Sequence, residues 1–147
     1  FMTVLFHGHF ALNRNYMSCI LNPALDQSGV KDKQLARPFG YSAPFAAHYR
    51  SWLHKTGVIE LGFPVTLTAM GAVVMEHDPK FESLLTQWFL HHELVRDPER
   101  AEAWHIFANE FLPRQETFAK SELLDGLKHI ALKDNSCKSM KRRIIES

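Results

Sequence analysis

Apolar residues recur at helical spacing in the first third of the chain, in runs that glycine and proline separate. The first run, 15–25, predicts a helix interrupted at Pro23, because the residue before a proline disfavours the α conformation. The second run, 30–36, predicts a short helix that ends before Pro38. The chain is therefore predicted to open with helices joined by tight turns.

A third helix is predicted between Ser42, an N-cap candidate, and Gly57, which suits the residue that closes a helix. Pro44 falls in its first turn, where proline is favoured. Apolar residues at helical spacing predict one buried face, formed by Phe45, Tyr49, Trp52 and Leu53. The opposite face is predicted to be exposed and carries Ala46, Ala47, His48, Arg50, Ser51, His54 and Lys55.

After Gly57 the pattern changes to two short β-prone segments, 58–61 and 65–67, around a turn that contains Gly62 and Pro64. Thr68 then offers its hydroxyl as the N-cap of a short fourth helix. Helix, turn, helix, strand, turn, strand is the element order of a winged helix. We therefore predict a winged-helix subdomain over residues 28–78.

The remaining residues, 79–147, predict a helical subdomain. Helices are expected over 80–95, 98–111 and 121–132, with Ser121 as an N-cap candidate, and a last helix begins near Cys137. The last two would form a second helix-turn-helix-like pair. The predicted core includes Trp52, Trp88 and Trp104.

The predicted fold class is mainly α: a winged helix-turn-helix, then a helical bundle, then the second helix-turn-helix-like pair. Residues 1–147 would form one compact unit, and we expect it to be a fragment of a longer protein.

The composition is typical of a packed globular domain, with 46% hydrophobic, 12% aromatic and 22% charged residues in 147. The two cysteines, Cys19 and Cys137, are far apart and predict reduced thiols. The sequence contains no membrane-length apolar run and no secretory leader pattern. We therefore expect a cytoplasmic protein that does not enter membranes.

Charge is distributed unevenly along the chain, although the net charge is only +1. Residues 1–75 hold six Lys/Arg and three Asp/Glu, residues 76–127 hold five and eleven, and residues 128–147 hold six and two. Since DNA phosphates attract cations and repel carboxylates, a nucleic-acid surface is predicted at the two ends of the chain.

Two groups of residues are candidates for contacts with double-stranded DNA. The first lies on the exposed face of the third helix and comprises His48, Arg50, Ser51, His54 and Lys55. The second belongs to the last helix and comprises Lys138, Lys141, Arg142 and Arg143. The second group is the stronger electrostatic signal, and its alternative is an ordinary solvated helix face. The alternative for the first group is a winged helix that serves only as a packing scaffold, and many winged helices bind proteins instead of DNA.

No metal site or cofactor is predicted. His91 and His92 are adjacent, whereas a helical zinc site needs histidines four residues apart, and the spacing of His7 and His9 is not diagnostic. A nicking reaction would call for Mg²⁺ held by clustered carboxylates. The acidic candidates Glu76, Asp78, Glu93 and Glu110 form no convincing catalytic set, so the catalytic residues stay unassigned.

An ordered set of short motifs spans nearly the whole chain. The motifs include Phe6-His7-Gly8-His9-Phe10, Tyr49-Arg50-Ser51-Trp52-Leu53, Thr56-Gly57-Val58-Ile59, Leu67-Thr68 with Gly71, Trp88-Phe89-Leu90-His91-His92-Glu93-Leu94, Phe107-Ala108-Asn109-Glu110-Phe111 and Ser139-Met140-Lys141-Arg142. As a set, they are similar to a family of domains of unknown function from bacterial DNA phosphorothioation operons of the Dnd and Ssp types. That family includes the nicking component of the Ssp-type systems.

The resemblance implies DNA processing linked to sulfur modification of the DNA backbone and to bacterial defence, with other proteins of the same system as partners. Three hypotheses follow. The first is a DNA-binding module that positions a modification or nicking activity. The second is a protein-interaction scaffold that docks through the acidic helices 80–110. The third is a metal-dependent nickase.

Overall fold

The computed structural model describes residues 10–27, 29–115 and 117–133, with side chains as far as Gly126. The described chain is mainly helical, as predicted, and contains no β-strand. The α-helices are α1 (Arg14–Asp26), α2 (Asp32–Ala36), α3 (Ala43–Lys55), α4 (Ala69–His77), α5 (Leu84–Arg96), α6 (Pro98–Ile106) and α7 (Lys120–Lys133). A 3-10 turn, Arg37–Phe39, continues α2, and a π-helical turn, Phe107–Phe111, continues α6.

Helix α1 runs through Pro23 without the predicted interruption. Its N-terminus is capped by the Asn13 side chain, which accepts the backbone N–H groups of Asn15 and Tyr16 at 3.0 and 3.2 Å. Cys19 and Pro23 are both exposed, so the carbonyl that loses its partner at the proline lies on the solvent side of the helix. Burial of the opposite face stabilises the helix enough to keep it continuous.

Helix α3 lies at the centre of the N-terminal half and packs against both α1 and α2. The predicted inner face, Phe45, Tyr49, Trp52 and Leu53, is buried. Ala46 was expected on the outer face, which is wrong, because its exposed fraction is 0%. Contact with two helices makes the buried stripe of α3 wider than the sequence period indicates.

The C-terminus of α3 closes as predicted at Gly57, which adopts a left-handed φ of +76°. Its N–H donates to the His54 carbonyl at 3.0 Å, and the N–H of Val58 donates to the Leu53 carbonyl at 2.9 Å. These two bonds form a Schellman motif, which reverses the chain and directs it away from the helix.

Residues 58–67 form a short hairpin in place of the two predicted strands. It contains one antiparallel bridge, Ile59 to Leu67, and a hydrogen bond of 2.9 Å from the Glu60 N–H to the Thr66 carbonyl. Pro64 has no N–H to donate, so the ladder does not extend towards the tip of the hairpin.

Helix α4 packs on the base of the hairpin through Thr68 and Gly71. The Thr68 hydroxyl donates to the Gly57 carbonyl at 2.6 Å and accepts the Gly71 N–H at 2.9 Å, which confirms Thr68 as the N-cap. A Cβ atom at Gly71 would lie 1.9 Å from the Val58 carbonyl oxygen. Only glycine allows the helix and the hairpin to approach so closely.

Helix α5 departs from the predicted core pattern. Its buried residues, Leu90, Glu93 and Leu94, belong to its C-terminal half, which packs against α6. Trp88 was predicted to be a core residue, which is wrong: it is 64% exposed, and Leu85 is 79% exposed. Both lie on the helix face opposite Leu90, so the inner face and the outer face of α5 are both apolar.

One hydrophobic cluster contains residues from both predicted subdomains, among them Leu35 and Trp52 from the first and Phe81 and Leu94 from the second. The predicted division of the chain at residue 78 stays a prediction. The predicted helix at Cys137 lies outside the described residues. No helix among the residues described is long and apolar enough to cross a lipid bilayer.

We expect Gly71→Ala to lower the free energy of unfolding by more than about 2 kcal/mol, because the new methyl group would collide with backbone atoms that cannot rotate away. Gly126→Ala is the matched control. A Cβ at Gly126 would lie 3.4 Å from the Phe111 ring, and alanine favours the helix, so stability should hold or rise. Urea denaturation measures both, and equal stability of the two variants would contradict the close packing at Gly71.

Candidate nucleic-acid interface

All five residues nominated on α3 are partly buried. His54 Nδ1 lies 3.2 Å from the Ile59 carbonyl oxygen. Because a carbonyl oxygen only accepts, this contact is a hydrogen bond when Nδ1 carries the ring proton. The His48 ring packs 5.3 Å from the Phe10 ring, centroid to centroid. Ser51 is likewise only partly exposed. The middle of α3 is therefore occupied with contacts inside the fold.

Arg50 makes the strongest of these contacts. Its Nε and Nη2 atoms donate to the two carboxylate oxygens of Asp32, both at 2.6 Å, and the two side chains are 19% and 18% exposed. The guanidinium also lies 4.1 Å from the centre of the Phe63 ring. Arg50 thus joins α2, α3 and the hairpin, since the bidentate pair and the cation–π contact use different parts of the same group.

Lys55 points towards the N-terminus of α6, where its Nζ lies 3.5 Å from the Glu99 carbonyl oxygen. Burial lowers the pKa of Lys55, the Arg100 guanidinium lowers it further, and Asp97 partly opposes both effects. The cation is therefore part of the contact between α3 and α6.

Arg100 also contacts the buried Glu93 carboxylate, at 3.4 Å, and Arg96 contacts its other oxygen at 3.2 Å. This carboxylate, one of the four acidic candidates, is thus held between two cations. Its position links the C-terminal half of α5 to α6.

The remaining acidic candidates are not assembled into a metal site. Asp78 accepts the backbone N–H groups of Glu82 and Ser83, each at 2.9 Å. Burial raises the pKa of Asp78, but hydrogen bonds from Thr86, Glu82 and Ser83 outweigh it, and the net pKa lies below its usual value. Within 10–27, 29–115 and 117–133, no three His, Cys, Asp or Glu side chains could hold a metal ion together.

Three basic residues that precede α3, Lys31, Lys33 and Arg37, face solvent and were not among the nominated residues. They lie at the start of α2, in α2 and at the start of the following 3-10 turn, and all three are exposed. The ion pairs formed among the described residues involve none of them. The sequence signal for them is the occurrence of three cations within seven residues, 31–37.

These cations line two adjoining open depressions at the N-terminal end of α3, called here together the α2–α3 groove. One part, about 710 Å³, is lined by Lys31, Lys33 and, at the hairpin tip, Phe63. The other, about 680 Å³, is lined by Lys33, Arg37 and Tyr41. Both parts share Lys33 and Ala43, so they adjoin at the first turn of α3.

The second nominated group, Lys138, Lys141, Arg142 and Arg143, lies outside the described residues, as do His7 and His9. Whether those cations extend the positive surface stays a prediction. Among the described residues, the α2–α3 groove is lined by three exposed cations.

We expect a double-mutant cycle on Arg50→Ala and Asp32→Ala to give a coupling free energy of about 1–3 kcal/mol, because each substitution alone leaves a largely buried charge unpaired. Chemical denaturation of the four proteins measures it. Arg37→Ala with Asp32→Ala is the control cycle and should be additive, since Arg37 is exposed and not paired with Asp32. Equal coupling in both cycles would contradict a specific Arg50–Asp32 contact.

No curated protein and no solved structure matches this chain. A family model does match it, over residues 24–147, which includes α2, α3, the hairpin and every later helix of the described residues. The chain therefore belongs to the family described as a protein of unknown function, DUF4007.

Proposed function

We propose that this domain binds double-stranded DNA through the α2–α3 groove. The observation that carries the proposal is the exposure of Lys31, Lys33 and Arg37 around the first turn of α3. Asp32 is the one acidic residue between 27 and 59, and Arg50 neutralises it. The field of the three cations is therefore left uncancelled, which favours a phosphate backbone.

The element order supports a winged-helix interpretation of this surface. Helices α1, α2 and α3 pack together, the turn at Gly40 separates α2 from α3, and the 58–67 hairpin follows α3 directly. In a helix-turn-helix, the first turn of the second helix approaches the DNA. That turn here is the wall shared by both parts of the α2–α3 groove.

The residues at this turn favour binding with little sequence preference. Ser42, Ala43 and Pro44 are small and offer few hydrogen-bonding groups to base edges, while the neighbouring cations reach phosphates. The middle of α3, including Arg50, packs within the fold and supports the groove. The family resemblance suggests the use of such binding: to position a modification or nicking activity of a phosphorothioation system on DNA.

We expect the triple variant Lys31→Ala, Lys33→Ala and Arg37→Ala to bind duplex DNA more weakly and with a smaller salt dependence. Each lost phosphate contact should reduce the slope of log affinity against log salt by about one. Fluorescence anisotropy with a labelled duplex at several salt concentrations measures both effects.

The matched control changes three other exposed cations, Lys80, Arg114 and Lys120, to alanine. It removes the same charge outside the groove and should retain the wild-type slope. Equal losses of duplex affinity in the two triple variants would mean that the effect depends on net charge alone. Absence of salt-dependent duplex binding by the wild-type protein would refute the proposal.

A second function, docking of a protein partner, is favoured by the outer face of α5. Leu84, Leu85, Trp88 and Phe89 are large, apolar and exposed on consecutive turns of one helix. Exposed apolar residues in such a cluster are typical of interaction surfaces. The partner would be another protein of the same phosphorothioation system, held on the face remote from the buried Leu90.

We expect Leu85→Ser with Trp88→Ser to abolish co-purification with such a partner while leaving duplex affinity unchanged. Leu61→Ser with Val73→Ser is the control, since these residues are similarly exposed, at 83% and 57%, but lie on the hairpin and α4. The measurement is co-purification after co-expression with each of the other proteins of the phosphorothioation system. Retention of the partner by the α5 variant would contradict this second function.

A further inference from the structure

Two exposed aromatic rings line the α2–α3 groove. Phe63 lines one part of the groove and Tyr41 lines the other. Phe63 is 56% exposed and Tyr41 is 49% exposed. Both side chains are therefore accessible to a ligand in the groove.

Each ring packs on a neighbouring side chain. The Arg50 guanidinium covers one face of Phe63 at 4.1 Å, and Arg50 is itself fixed by Asp32. The Phe45 ring stacks on Tyr41 with centroids 4.4 Å apart and planes 11° apart, and the Phe10 ring meets Tyr41 nearly at right angles with centroids 6.1 Å apart. Both residues remain about half exposed, so part of each ring is open to solvent.

We propose that these two rings are stacking platforms for unpaired bases of a single DNA strand in the α2–α3 groove. The inference rests on the proposed function, because the strand would use the same cations for its phosphates. Flat aromatic faces bind bases of any identity, and alternation of such faces with cations is the pattern of single-strand binding sites. A domain that acts at nicked or locally opened DNA would need both modes.

Charge complementarity identifies the occupant. Lys31, Lys33 and Arg37 line the same groove as the two rings, and a single strand carries both phosphates for the cations and bases for the rings. An acidic peptide would use the cations but not the two rings. The contribution of the bases, measured at constant phosphate number, therefore separates these two ligands.

The decisive probe is a pair of single-stranded oligonucleotides, one of deoxythymidine and one of equal length in which abasic residues replace the bases. We expect wild-type protein to bind the oligodeoxythymidine at least about fivefold more tightly, because each stacked base adds affinity that the phosphates do not. Equal affinity for the two strands would overturn the proposal, and this comparison requires no variant.

The variants Phe63→Leu and Tyr41→Leu keep apolar bulk but remove the aromatic faces. Each should reduce the preference for bases over abasic residues and leave affinity for the abasic strand unchanged. Leu61→Ala is the control, because Leu61 is 83% exposed on the same hairpin but does not line the groove. A thermal melt of each variant distinguishes loss of the ring face from loss of the fold.

Failure of this inference is distinguishable from failure of the proposed function. Salt-dependent duplex binding that falls in the triple cation variant, combined with equal affinity for the two single strands, would retain the duplex interface and refute the stacking platforms. Absence of salt-dependent binding to every probe would refute both.

Discussion

The bidentate ion pair between Arg50 and Asp32 is the contact on which the proposed surface depends. It ties α2 to α3, and through the ring of Phe63 it also holds the hairpin tip. Because it is largely shielded from water, its two hydrogen bonds are stronger than those of a surface pair. It also neutralises Asp32, the one acidic residue between 27 and 59, so no unpaired carboxylate of this segment opposes the exposed cations.

Local signals predicted the central part of the fold well. Gly57 closes α3 with a left-handed backbone, and Thr68 caps α4 through its hydroxyl. These features depend on a few neighbouring residues, so the sequence alone contains the necessary information. The buried stripe of α3 followed from its period for the same reason. The helical class of the fold was predictable because most of the chain repeats such local patterns.

Tertiary contacts decided what the sequence period could not. Ala46 is small and lies beside the cationic face of α3, yet the two helices packed on α3 bury it. Trp88 is exposed although its spacing predicted a core position, because α5 is apolar on both faces and only one face can pack on α6. For the binding surface, Arg50 and Lys55 had the right charge at helical spacing, but contacts from α2 and α6 determine that they act inside the fold.

The composition of the hairpin explains why the proposed interface combines two kinds of contact. Residues 58–67 contain one charged side chain, Glu60, and no cation, so the hairpin cannot attract phosphates. What it contributes is Phe63, a ring fixed from below by Arg50. The cations come instead from Lys31, Lys33 and Arg37, which precede α3. The cations would therefore attract the strand to the groove, and the ring faces would retain it when its bases are unpaired.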